Sequence, residues 1–200
     1  MSTDPLLRDT PGIGDGTDVH LLLAALVAER EGQRCLIQGN EAAARPYLRA
    51  AAAAYLASYA HAPPRSWGRL IGAVKASVLA DEGPATARVA ADALGGVADS
   101  PASCYLAALC ALVAGDDDRA LRHAPGMREG GDAFARAADA VEAIARGDAE
   151  ALERTRAAMD ADFAARDAHL TGVPIADTSL MMRNISRMRR SGKDGAGQTP

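Results

Sequence analysis

The greatest density of chemically useful side chains lies at Glu150, Glu153, Asp160, Asp162 and Asp167, followed by His169. Carboxylates on a helix converge on a metal when they stand three or four residues apart. Glu150 and Glu153 meet that spacing, but no His occupies the place of a Glu-x-x-His ligand, and Asp160 and Asp162 point to different sides. Arg156, four before Asp160, and Arg166, four after Asp162, are better partners. Each such exposed pair is worth only about 0.3–0.5 kcal/mol. The stretch reads as a solvated, ion-paired helix face, and no metal is expected. Asp116, Asp117 and Asp118 lack the alternating ligands, glycine and terminal Glu of a calcium loop, and as a helix start they complement its dipole.

The remaining chemistry is sparser. His20, His61, His123 and His169 show neither H-x-x-x-H nor H-E-x-x-H spacing, which argues against a zinc hydrolase. Cys35, Cys104 and Cys110 form no C-x-x-C pair and read as buried thiols of a reducing compartment. The serines lack a G-x-S-x-G elbow, and Gly95-Gly96 and Gly130-Gly131 follow no strand and make no phosphate loop. No catalytic residue and no cofactor are therefore expected. Two surfaces stand out instead. Arg183, Arg187, Arg189 and Arg190 lie beside the apolar stripe of the last helix, either as dipole complement or as a docking patch for an acidic partner. Tyr47, Tyr55, Tyr59 and Trp67 are the candidate lining of any pocket between helices, with core packing as their plainer role. The most distinctive linear stretch is His169–Thr178, where Gly172 and Pro174 stop one helix and restart another, or shape a functional loop.

The elements that must position these groups are helices. Ala dominates an apolar fraction of 48%, with only 2 Phe and 1 Trp, so helix propensity and close packing of small side chains agree. The expected fold is all-α, about nine helices in a single domain over 18–190, after a flexible segment 1–17 and before a disordered tail 191–200. The first helix presents Val19, Leu22, Leu23 and Leu26 as its apolar face and bends or restarts at Gly32. The second begins near Pro46, Ser66 caps the third, Pro125-Gly126 closes the sixth, and Pro174 opens the last, which seals the end of the array. Polar residues fall mostly opposite the apolar stripes, so few convergent polar groups are expected inside.

A formal charge of −4 argues against nucleic acid as a partner. Residues 1–18 hold no apolar signal region and no run reaches 18 apolar residues, so no membrane association is expected and the expected address is the cytoplasm.

Three joints read alike: Gly39-Asn40, Gly115-Asp116 and Gly147-Asp148, each followed by small residues, the last two 32 residues apart. A glycine that ends one helix before an Asn or Asp that caps the next is the elbow of a helical hairpin. With Trp67-x-x-Leu70, these joints resemble the tetratricopeptide-like repeats, a resemblance that implies stacked antiparallel hairpins with a concave protein-binding face. The helix Tyr105-Leu106-Ala107-Ala108-Leu109-Cys110 running into Gly115-Asp116-Asp117-Asp118-Arg119, with Phe134 beyond, resembles bacterial toxin-system immunity proteins, family 49 in particular. That resemblance implies a toxin-neutralising binder without catalytic residues. The expectation is a non-catalytic protein-binding module; the competing reading is a small-molecule-binding helical bundle or enzyme with a pocket between helices.

Overall fold

Local capping chemistry divides the chain. At the three joints Gly39, Gly115 and Gly147 take φ of 71°, 83° and 70°, a region that favours glycine. The Asn40, Asp116 and Asp148 side chains then accept from the amides of Ala43, Arg119 and Ala151 at 3.0, 2.9 and 2.9 Å. Each such cap is worth about 1 kcal/mol. Ser100 and Ser103 close a reciprocal capping box ahead of Pro101.

The computed structural model describes residues 16–196. They form α1 (Thr17–Ile37), α2 (Glu41–His61), α3 (Trp67–Leu79), α4 (Gly83–Leu94), α5 (Pro101–Ala114), α6 (Asp117–Met127), α7 (Asp132–Arg146), α8 (Ala149–Ala164) and α9 (Asp177–Ala196). A short 3-10 turn, Arg128–Gly130, follows α6, and no strand occurs among the described residues. Of the expected flexible ends, 1–15 and 197–200 lie outside the described residues, while 191–196 continue α9.

Several expected boundaries move. The helix α2 starts at Glu41 and carries Pro46 inside it, because the Asn40 cap already organises the first turn and Ala42 and Pro46 both face solvent. Ser66 holds the N-cap position of α3, but its side chain makes no capping bond; its hydroxyl donates to the Pro63 carbonyl at 2.7 Å. Pro125 is tolerated in the last turn of α6, and Pro174 lies in the loop before α9. Gly32 does not break α1, which runs as one helix from Thr17 to Ile37. A Cβ there would lie 2.7 Å from Leu48 Cγ, so the glycine is what lets α2 approach.

The largest change concerns the face of α1. Its buried residues are Asp18, Ala25, Glu29, Gly32 and Gln33, which share one side at helical spacing. Val19 and Leu23, expected inside, are 49% and 54% exposed, as is Val27 at 52%. Leu22 and Leu26 of the expected face are half-buried and pack on Ala25, Tyr55 and Ala73, while the polar side is drawn inward by charged partners on other elements.

The core centres on α5, buried continuously from Ser103 to Leu112. Helices pack chiefly on their neighbours in the chain, and α3 touches α5, which touches α7. Helix α9 does more than seal one end. It lies against α3, α5, α7 and α8, with Met181, Met182 and Ile185 fully buried.

Candidate functional site

Helix α3 is almost wholly apolar, and its two charged residues, Arg69 and Lys75, both turn into paired, largely buried positions. Lys75 Nζ lies 2.9 Å from Glu29 Oε1 on α1 and 2.6 Å from Asp177 Oδ2 at the start of α9. Tyr55 on α2 donates its hydroxyl to Glu29 Oε2 at 2.6 Å, and Gln33 Nε2 donates to Asp177 Oδ2 at 2.8 Å. Thr171, in the α8–α9 loop, donates to Gln33 Oε1. A second group lies further along α1. Arg69 donates to Asp18 at 2.8 Å and to the Ser58 carbonyl at 2.9 Å, and Ser58 donates to the Asp18 carbonyl at 2.7 Å. Polar groups thus converge in the interior, against the expectation that almost none would.

Charge states follow from position. Burial alone would lower the proton affinity of Lys75, but Asp177 and Glu29 outweigh it and hold the ammonium well above its ordinary range. Burial, reinforced by the Glu29 charge, holds the Tyr55 phenol protonated. Groups so far from titration do not exchange protons near neutrality. The arrangement therefore offers fixed charges and donors, suited to binding and orientation. Burial pushes the Cys110 thiol up to about 12, which keeps it from acting as a thiolate. Among the described residues no three or more His, Cys, Asp or Glu gather to hold a metal ion.

Two cavities meet at Leu170. The first, about 200 Å³, is lined by Glu29, Gln33, Lys75, His169, Thr171 and Asp177, with Phe163, Leu170 and Ile175 as its apolar part. The second is an open groove of about 450 Å³ lined by Leu22, Leu26, Tyr55, Trp67, Ala102 and Leu170. The loop between them is anchored: the His169 ring stacks on Phe163 with centroids 4.3 Å apart, Val173 is buried, and Leu170 is left 84% exposed.

The residues singled out in the sequence are only partly brought together. Tyr55 and Trp67 line the groove, Tyr59 stacks behind Trp67 at 6.2 Å, and Tyr47 stands exposed on α2. The four arginines of α9 are not one patch. Arg189 pairs with Asp117 and donates to the Leu112 carbonyl at 3.0 Å, Arg183 is half-buried, and Arg187 and Arg190 are exposed. At the end of α8 the Arg166–Asp162 pair forms at 2.6 Å, whereas within α8 Arg156 pairs with Glu153 rather than Asp160. Glu29, Gln33, Lys75 and Asp177 carry the site and were not singled out as such. The available signal was Lys75 itself, a charge set in the apolar run of α3.

No protein-family model, no curated protein and no solved structure matches this chain. Among the described residues no helix is long and apolar enough to cross a membrane.

Proposed function

We propose that this chain is a non-catalytic protein-binding module, built as stacked helical hairpins of the tetratricopeptide kind, whose partner docks on the outer face of α1. The observation that carries the reading is the stripe Val19, Leu23 and Val27, each about half exposed and four residues apart, beside the groove of Leu22, Leu26, Tyr55 and Trp67. Scattered exposed apolar residues are ordinary, whereas a contiguous patch marks an interaction surface. A ridge with a four-residue period suits a second helix laid across it, so the partner presents an amphipathic helix. Packing of each helix on its chain neighbours, with α3, α5 and α7 in line, supports the stacked-hairpin description. Neutralisation of a toxin and regulatory scaffolding in the cytoplasm are two forms this binding takes.

A photo-crosslinking side chain at Ala24, exposed on the stripe, tests the proposal in living cells against the same group at Val89, exposed on α4. The expected result is a defined adduct with another protein from position 24 alone, lost on Val19→Ser with Val27→Ser. Adducts of equal pattern from both positions, or an adduct of twice the chain's own mass, would overturn it.

A second reading, a small-molecule site between helices, is favoured by a separate observation: the convergence of Glu29, Lys75 and Asp177 on one cavity.

A further inference from the structure

We propose that the open groove between α1, the start of α3 and Leu170 receives a bulky, uncharged aromatic side chain projecting from the partner's helix. This occupant presupposes docking along α1 and is the residue by which the partner is anchored there.

The wall argues against a charged occupant. Four polar side chains border the groove, Tyr55, Arg65, Ser66 and Arg69, and each is already engaged within the protein. The Tyr55 hydroxyl donates to Glu29, and Arg69 donates to Asp18 and to the Ser58 carbonyl. Arg65 pairs with Asp99 at 2.8 Å, and Ser66 donates to the Pro63 carbonyl. A charged group entering here would leave water without gaining a free side-chain partner on the wall. The other side chains of the wall, Leu22, Leu26, Trp67, Ala102 and Leu170, are apolar or aromatic.

Size and neighbours favour a ring. A volume of about 450 Å³ falls within the roughly 300–1,000 Å³ of sites that take an organic group. Gly68 leaves the wall beside Trp67 open, since a Cβ there would meet no heavy atom within 4 Å. Tyr55 and Trp67 both border the space, and Tyr59 stacks behind the indole. Aromatic pairs gain from offset or edge-to-face contact beyond the area they bury, so an incoming ring is held better than an aliphatic chain of similar size.

The groove is also in the right place. Leu22 and Leu26 stand one residue before Leu23 and Val27 and repeat at the same four-residue step, so groove and ridge run side by side along α1. A helix laid on Leu23 and Val27 reaches the groove with one side chain. Leu170 forms the far rim and is 84% exposed, although its loop is tied down by the His169–Phe163 stack and by the bond from Thr171 to Gln33. The fold thus holds an apolar side chain in water at the edge of the groove, where an anchor would cover it. Aromatic side chains seated in apolar pockets carry much of the binding energy in interfaces of this kind.

The test combines crosslinking from Ala24 with NMR titration of the isotope-labelled full chain. The probes are N-acetyl-tryptophanamide, N-acetyl-leucinamide and N-acetyl-lysinamide. Saturable shifts are expected at the indole N–H of Trp67, the only Trp of the chain, and at the Ala102 amide. The tryptophan probe should bind at least about tenfold more tightly than the other two. Gly68→Phe, which fills the groove from a position where a Cβ meets open space, should abolish these shifts while the amides of α7 stay in place. The same variant should reduce the partner adduct from Ala24 by about tenfold or more. Equal binding of the leucine or lysine probe, or no saturable shift with any probe, would overturn the aromatic anchor. So would an adduct from Ala24 undiminished in Gly68→Phe, and docking on α1 would then stand without it. Failure of the docking reading looks different: the unaltered chain gives no partner adduct from Ala24 whatever the probes do, and the anchor falls with it.

Discussion

Helix α5 lies at the centre of the packing and α1 at its edge against α2, and opposite means hold them. Helix α5 is buried on nearly every side and contributes Leu106, Leu109 and Leu112 to the core at full burial. Helix α1 turns a small and polar side inward, held by the close approach at Gly32 and by ion pairs to Lys75 and Arg69. Area buried secures the first without regard to detailed geometry. The second depends on a few directional contacts, each of which fails if one partner is removed.

The difference can be broken experimentally. The largest effect is expected from Lys75→Met, which leaves Glu29 and Asp177 buried near one another without a cation. A loss of about 4 kcal/mol is expected, and native-state hydrogen exchange should show α1 losing protection while α5 keeps it. If both helices lose protection equally, α1 is not a separately held element. Leu109→Ala should cost about 3 kcal/mol in denaturant unfolding, and here the loss should be global, since α5 touches the helices on either side. Loss confined to α5 would deny it the central role.

Gly32→Ala sharpens the comparison on a smaller scale. Helix propensity favours alanine by about 1 kcal/mol, but crowding against the buried Leu48 costs about 1–3, so a net loss of about 1 kcal/mol is expected. A more stable variant would show that the α1–α2 contact has slack. The smallest effect is on acid sensitivity. The Arg69 guanidinium holds the Asp18 carboxyl below its ordinary value of 3.8. A depressed folded value means that Asp18 supports the fold above that pH and ceases to as pH falls through the lower folded value. Asp18→Asn should therefore flatten the acid limb of α1 protection and leave that of α5 unchanged; an unaltered limb would exclude this pair as its source.

Legibility in the sequence divides along the same line. The glycine-and-cap joints at Gly39, Gly115 and Gly147 were readable, because each is settled within four residues. The hidden polar contacts were not. Glu29 and Asp177 stand 148 positions apart, and a helical wheel of α1 alone assigns its Leu and Val residues to the core. Of the candidate pocket residues, Tyr55 and Trp67 reached the groove because the apolar stripes of α2 and α3 converge there, while Tyr47 lies on the solvent side of α2. The distinctive His169–Thr178 stretch was visible as a stop and restart, but its contacts with Gln33 and Lys75 were not.

By itself the sequence determined that the described chain is helical and where most helices begin and end, since backbone dihedrals and caps respond to near neighbours. Only the tertiary structure decided which side of α1 turns inward. That choice weighs three apolar side chains left half in water against buried charges that become tolerable once Lys75, Arg69 and Tyr55 arrive from other helices to meet them.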